Sequence, residues 1–194
     1  MGKPDSTGPD NAIDLDFTGV FKLADLRPEP PPPPPRRIPQ DILIGARSLA
    51  QGNYFVNLAR PRPPRTIDPA KTTILIVEDD LPTLNILDML LSRAAGYLTR
   101  KAQDVQTFVL AMQQLPRADA VILDLNLPGN VSGFKILAKI RAHPAIRELP
   151  VIILSGHCAP EYLLQGLSLG ADAYLSKPAK SQAVFDALKA VLGG

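Results

Sequence analysis

The sequence predicts an α/β fold for residues 71–194, in which a parallel β-sheet is covered by helices on both faces. Short apolar runs of strand length alternate there five times with longer amphipathic segments. Four of the five runs are apolar at successive positions, as in strands that are buried on both faces. The first 70 residues differ, because they hold 14 of the 21 prolines of the chain. Alternating strands and helices favour a parallel sheet with helical crossovers.

Five strands and five helices are predicted from these patterns. Helical spacing of leucines defines the first helix, and Gly96 ends it. In such a sheet, ligands bind beyond the carboxyl ends of the strands. The predicted strands are residues 73–77, 98–102, 120–123, 151–154 and 173–175. The predicted helices are residues 84–94, 105–115, 134–142, 159–169 and 181–192.

Composition narrows the classes of protein to which the chain can belong. Its net charge of +2 gives no basic excess, so we expect no direct contact with nucleic acid. No apolar stretch approaches the length of a membrane span, and the polar N-terminus is not a secretory signal. The one cysteine, Cys158, favours a reducing compartment. We therefore predict a cytoplasmic protein without a membrane partner.

Residues 1–70 are predicted to be a proline-rich, largely disordered extension of the domain at 71–194. The proline run at 30–35 favours extended polyproline II, and proline at this density predicts that the extension adds no strand to the sheet. Two apolar islands interrupt it. Residues 12–26 begin with the alternation of a strand, and residues 40–59 fit a short helix or a pair of strands. The islands are either weakly ordered or packed on the domain, or they bind a partner.

Residues that carry chemistry follow four of the five predicted strands. Each has an ordinary alternative role, since acids cap helices, a serine satisfies a loop amide and a lysine is often solvated. Because all of these residues are expected at the same edge of the sheet, a common site is favoured over four independent roles. They are Glu78, Asp79 and Asp80 after the first strand, Asp124 after the third, Ser155 and Gly156 after the fourth, and Lys177 after the fifth.

This set of residues fits phosphoryl chemistry on Asp124. Clustered carboxylates repel one another unless a cation joins them, and Mg²⁺ prefers oxygen ligands. Asp124 would be the nucleophile and would form an acyl phosphate. Lys177 would contact one phosphoryl oxygen as a point charge, and the Ser155 hydroxyl would donate to another.

Four stretches, ILIVEDD, VILDLNLPG, VIILSG and AYLSKP, resemble the receiver domain of response regulators over residues 71–194. The resemblance implies a flavodoxin-like, doubly wound sheet of five parallel strands in the order 2-1-3-4-5. It also implies a role in two-component or phosphorelay signalling, in which a sensor histidine kinase or a phosphotransfer protein phosphorylates the domain. The downstream protein target is unknown.

The resemblance assigns a role to each matching residue. Glu78 and Asp79 match the acidic pair that organises Mg²⁺, and Asp80 matches a third, less constant acid. The remaining assignments are Asp124 as phosphoacceptor, the backbone carbonyl of Asn126 as a metal ligand, Ser155 and Tyr174 as the switch residues, Lys177 as the active-site lysine and Pro178 as a cis-proline. In one place the sequence departs from the family, because five positions instead of four separate Pro128 from Gly133. The geometry of that loop, and with it the lifetime of the phosphoryl group, is therefore open.

Three functions compete for this sequence. The first is a phosphoacceptor response regulator that is not an enzyme, with no output domain expected after residue 194. The second is a receiver-like binding module that is never phosphorylated, although no acid and no lysine of the pattern is lost here. The third is a phosphatase with an aspartate nucleophile, which needs a second aspartate two positions later as general acid. Asn126 occupies that position and cannot transfer a proton.

Overall fold

The computed structural model describes residues 20–28, 38–61, 63–64 and 66–194, and a six-stranded sheet forms its centre. The strands of this sheet are β1 (Tyr54–Val56), β2 (Thr73–Val77), β3 (Leu98–Ala102), β4 (Ala120–Asp124), β7 (Val151–Ser155) and β8 (Ala173–Ser176). Two further short strands, β5 (Asn126–Leu127) and β6 (Val131–Ser132), form a separate hairpin.

Within the described residues, six α-helices accompany the strands, and the five that follow β2 match the five predicted helices. They are α1 (Gln40–Ala50), α2 (Leu81–Met89), α3 (Val105–Gln113), α4 (Gly133–Ala142), α5 (Pro160–Ser168) and α6 (Ser181–Leu192). A π-helical turn at Leu90–Ala94 extends α2, and Leu23–Leu26 and Pro69–Lys71 are 3₁₀ helices.

The five predicted strands are parallel neighbours in the spatial order β3-β2-β4-β7-β8. Numbered along the chain, this order is 2-1-3-4-5, so the predicted doubly wound fold is confirmed. Helices α2 and α6 cover one face, and α3, α4 and α5 cover the other. All residues of β2, β4 and β7 are buried, which explains their uninterrupted apolar runs.

The predicted number of strands is wrong by one, because the extension supplies β1. This strand pairs antiparallel with β8, with Phe55 opposite Tyr174. The expectation that proline excludes the extension from the sheet fails for local reasons. Residues 40–60 contain no proline, and Tyr54–Val56 consists of aromatic and β-branched residues that favour strands. An edge strand also needs a hydrogen-bonded neighbour on one side only.

The extension also buries apolar side chains in the core. Phe21 packs edge-to-face on Phe108 of α3, with ring centroids 5.1 Å apart, and Leu26 is fully buried. The island at residues 40–59 folds as a helix followed by a strand. The predicted strand alternation at residues 13, 15 and 17 and the proline run at 30–35 lie outside the described residues. The division of the chain at residue 70 stays a prediction.

No helix in the described part of the chain is long and apolar enough to cross a membrane.

Candidate functional site

The carboxyl ends of β2, β4 and β8 bring Glu78, Asp124 and Lys177 into direct contact. The Lys177 ammonium lies 2.7 Å from Oε2 of Glu78 and 2.9 Å from Oδ2 of Asp124, and it donates to Oε1 of Glu78 at 2.8 Å. These contacts depend on the parallel register of the sheet, which ends the three strands at the same level. The peptide bond between Lys177 and Pro178 is cis, as the resemblance implied.

Burial and ion pairing oppose each other at this lysine and its glutamate. Burial raises the pKa of Glu78, and the hydrogen bond from Lys177 offsets part of that rise. Burial also lowers the pKa of Lys177, but its bonds to Glu78 and Asp124 outweigh that effect and leave the pKa raised. The lysine is therefore a cation at neutral pH, held between two acids that arrive from different strands.

A third carboxylate, Asp79, turns the group into a candidate metal site. Carboxylate oxygens of Glu78, Asp79 and Asp124 lie within 4.8 Å of one another. Glu78 and Asp124 are buried and Asp79 is exposed, so the cluster opens to solvent on one side. A set of oxygen donors with an open side fits Mg²⁺, which keeps several waters when it binds protein. Asn126, whose carbonyl is the other predicted ligand, is exposed in β5.

Asp80 lies outside this group of three carboxylates. It is the N-cap of α2, and its Oδ2 accepts hydrogen bonds from the amide and the hydroxyl of Thr83, at 2.9 and 2.6 Å. These bonds lower the pKa of Asp80, with the hydroxyl contributing most. The described side-chain hydrogen bonds of Asp80 therefore belong to the start of the helix, while its amide donates to Oε1 of Glu78 at 3.2 Å.

The predicted switch residues Ser155 and Tyr174 are both fully buried and meet at one backbone residue. The amide of His157 donates to Oγ of Ser155 at 3.1 Å, and the hydroxyl of Tyr174 donates to the carbonyl of His157 at 2.7 Å. Burial, the largest influence, raises the pKa of Tyr174, so the hydroxyl keeps its proton. A hydrogen-bonded chain therefore runs from the end of β7 to the middle of β8.

The loop with the extra residue folds as the hairpin of β5 and β6. Its turn places Gly129 at φ 76° and Asn130 at φ 59°, in the left-handed region that glycine and asparagine tolerate best. A side chain at Gly133 is sterically excluded, because its Cβ would lie 2.2 Å from the carbonyl oxygen of Asp124. The insertion is thus accommodated within a hairpin, while α4 begins directly against the site strand.

Two residues that matter to this geometry were not predicted from the sequence. His157 acts through its backbone, which no residue pattern specifies. Asp172 is buried at the opposite end of the sheet and binds Arg141 at 2.7 Å and Arg60 at 3.2 Å. Its signal in the sequence is a lone acid directly before a buried strand, a pattern that also fits an ordinary turn.

The comparisons with known proteins all indicate the same family. The model of the response regulator receiver domain family matches residues 74–189. The two-component response regulator ARR10 of Arabidopsis thaliana is 35% identical over 112 residues, which are 58% of this chain and 20% of ARR10. The phosphate regulon transcriptional regulatory protein PhoB of Pseudomonas aeruginosa is 32% identical over 121 residues, 62% of this chain and 51% of PhoB. The chain therefore spans a fifth to a half of the length of these relatives.

Solved structures agree with that match. The chemotaxis protein CheY4 of Vibrio cholerae is 28% identical with a TM-score of 0.56, and the match covers 62% of this chain and 98% of CheY4. The receiver domain of a sensor histidine kinase from Pseudomonas aeruginosa, with magnesium coordinated in its active-site cleft, is also 28% identical with a TM-score of 0.56. That match covers 63% of this chain and 98% of the receiver domain.

Proposed function

The chain belongs to the response-regulator receiver domain family of two-component signalling, and on that basis we propose that Asp124 accepts a phosphoryl group and thereby switches protein contacts. The observation that carries the proposal is the contact of Lys177 with both Glu78 and Asp124, beside the exposed Asp79. A fixed cation between two acids, with a third acid at the opening, supplies a nucleophile and compensation for phosphoryl charge in one place.

We assign each step of the transfer to one group of the site. Lys177 contacts Oδ2 of Asp124, so the other carboxylate oxygen, Oδ1, is the one we assign to attack phosphorus. The new bond joins Oδ1 to phosphorus as the mixed anhydride of an acyl phosphate, and the bond from phosphorus to the donor breaks, with the electron pair leaving on the donor atom. For a phosphohistidine donor, that atom is the ring nitrogen. Lys177 then faces a phosphoryl oxygen, and the Ser155 hydroxyl donates to another.

We assign Mg²⁺ to the carboxylates of Glu78, Asp79 and Asp124 and to the backbone carbonyl of Asn126. When bound, the ion would neutralise charge on the phosphoryl oxygens. The proposed phosphodonor is a sensor histidine kinase or a phosphotransfer protein, and the proposed output is contact with a downstream protein. Asn126, two residues after Asp124, cannot serve as a general acid and argues against a phosphatase.

Intact-mass measurement after incubation with acetyl phosphate and Mg²⁺ tests the proposal. We expect the wild-type chain to gain one phosphoryl group and Asp124→Asn to gain none, because the amide is no nucleophile. The control Asp186→Asn removes a carboxylate from α6 and should leave the uptake unchanged. A chelator should abolish uptake in the wild type. Uptake by Asp124→Asn at the wild-type rate would refute the assignment, and absence of uptake by every form would favour a binding module.

A further inference from the structure

Residues 40–60 form one segment that packs along the β8 edge of the sheet, and we call it the docked segment. Its strand β1 pairs with β8, and its helix α1 packs on α5. The contact is close at Gly45, where a Cβ would lie 2.3 Å from the ring of Phe55 and 3.0 Å from Leu163 of α5. Helix α1, strand β1 and α5 are therefore packed together as one unit.

Polar contacts hold the docked segment at the end of β8 that is far from the site. The amide of Asn57 donates to the carbonyl of Asp172 at 2.9 Å, and its side chain donates to the carbonyl of Ala171 at 2.8 Å. Arg60 forms an ion pair with the buried Asp172. Because these contacts lie away from the site, they can be weakened without touching the residues that bind metal or phosphate.

The other end of the docked segment shares its supports with the site. Phe55 is the pairing partner of Tyr174, and both side chains belong to the same core layer. The hydroxyl of Tyr174 is bonded to the carbonyl of His157, whose amide is bonded to Ser155. A hydrogen-bonded path therefore joins the Ser155 hydroxyl to β8, the strand with which β1 pairs.

A second shared support is Lys180, three residues after Lys177. Its ammonium donates to the carbonyl of Gln51, directly after α1, at 2.6 Å. The β8 strand and the loop after it thus contact the docked segment, and each is also joined to the site, through Tyr174 and through Lys177. A displacement of these elements changes both sets of contacts together.

We propose that phosphorylation of Asp124 loosens the docked segment, so that the phosphoryl site and the β8 edge are energetically coupled. The inference rests on the proposed function. A phosphoryl group on Asp124 draws the Ser155 hydroxyl toward its oxygens and away from the amide of His157. His157 and Tyr174 then shift, and β8 no longer fits β1 as closely. The docked segment is suited to such a change, because β1 has only three residues and lies at an edge.

Reciprocity gives the proposal a quantitative test. If phosphorylation weakens docking by a given factor, the undocked chain must favour the phosphorylated site over the docked chain by the same factor. Beryllofluoride, which stands in for the phosphoryl group, provides a reversible probe. Arg60→Ala weakens the far contact, and Arg47→Ala, which removes an exposed arginine from α1, is the matched control. We expect Arg60→Ala to bind beryllofluoride with Mg²⁺ about fivefold more tightly than the wild type, and Arg47→Ala to match the wild type.

Hydrogen exchange on the wild-type chain supplies a second measurement that needs no variant. Beryllofluoride should speed amide exchange in residues 42–57 about fivefold and leave β3, at the opposite edge of the sheet, unchanged. Fluorine NMR reports in the same samples whether beryllofluoride is bound. Bound beryllofluoride with unchanged or slower exchange in residues 42–57, or equal affinity of Arg60→Ala and wild type, would overturn the inference. Absence of bound beryllofluoride would overturn the proposed function itself, and this inference with it.

Discussion

The two ends of the sheet each hold a buried acid in contact with basic side chains, but the charges are balanced at one end only. At the amino end of β8, two carboxylates meet two guanidinium groups. Asp172 accepts from Arg141 at 2.7 Å, from Arg60 at 3.2 Å and from the amide of Val151 at 2.9 Å, and Glu148 accepts from Arg60 at 3.3 Å. At the carboxyl ends of the strands, three carboxylates lie around the one ammonium that the described contacts bring to them.

This difference distinguishes the structural ion pairs of Asp172 from the candidate phosphoryl site at Asp124. Asp172 is surrounded by donors, is 2% exposed and has no open side for a ligand. The site at the other end has more negative than positive charge and an opening at Asp79. An excess of buried acid costs folding free energy unless a cation or a chemical change relieves it. The excess therefore lies at the end of the sheet for which we propose metal and phosphoryl chemistry.

The largest effect on stability is expected at the balanced end. Asp172→Ala leaves two guanidinium groups and the amide of Val151 without this acceptor, in a place that water reaches poorly. We expect the free energy of unfolding to fall by about 3–5 kcal/mol, measured by urea denaturation. Asp124→Asn, in the same assay, should cost little or stabilise the chain, because it removes one repelling charge. Equal losses in both variants would contradict the contrast between the two ends.

Removing the cation from the acidic end should have the next largest effect. Lys177→Met leaves Glu78 and Asp124 without their shared partner, and we expect a loss of about 1–3 kcal/mol because the site is partly open to water. Mg²⁺ should restore more of this loss than it adds to the wild type, since the excess of negative charge is larger. Thermal denaturation with and without Mg²⁺ measures both effects. Lys22→Met is the control. If Mg²⁺ stabilised Lys177→Met only as much as it stabilises the wild type, the explanation from excess negative charge would be contradicted.

A smaller effect is expected when the balanced end loses one of its two arginines. Arg60→Ala should lower the free energy of unfolding by about 1 kcal/mol, because Asp172 keeps Arg141 and the amide of Val151. Arg47→Ala should change it by less than that. Urea denaturation of the two variants measures the difference. A loss as large as that of Asp172→Ala would mean that Arg60, and not the pair of arginines, compensates the buried acid.

The smallest effect on stability, and one of opposite sign, is expected at Asp79. Asp79→Ala removes an exposed carboxylate from an acidic cluster, so the metal-free chain should become slightly more stable. The same change should abolish the stabilisation by Mg²⁺ and the uptake of phosphate from acetyl phosphate. Thermal denaturation and intact mass measure these outcomes. If Mg²⁺ stabilised Asp79→Ala as much as it stabilises the wild type, Asp79 would not be a ligand of the proposed metal site.

The sequence predicted what depends on local patterns. The run at residues 73–77 became a strand with the predicted bounds, because its uninterrupted apolar pattern identifies a buried strand. Residues 98–102 also became a strand with the predicted bounds, in the place that the alternation of strands and helices gives it. The parallel order then brought Glu78, Asp124 and Lys177 together, as the strand ends implied. These predictions succeeded because parallel strands place their carboxyl ends at the same edge of the sheet, so residues that follow the strands lie close together.

The elements that escaped prediction depend on contacts between distant segments. Strand β1 is stabilised by its pairing with β8, more than one hundred residues later, and three residues alone do not specify it. Asp172 forms ion pairs with Arg60 and Arg141, which come from separate parts of the chain. The extra residue near Gly133 was visible in the sequence, but its accommodation in a hairpin depends on pairing between residues 126–127 and 131–132.

The central claim, that the acidic end accepts a phosphoryl group on Asp124, is tested most directly by locating the acyl phosphate. Borohydride reduces a phosphorylated aspartate to homoserine, which peptide mass spectrometry assigns to one position. After incubation of the full chain with acetyl phosphate and Mg²⁺, we expect homoserine at position 124 and at no other aspartate. Homoserine at position 79 or 80, or its absence from a chain that has gained phosphate, would contradict the account.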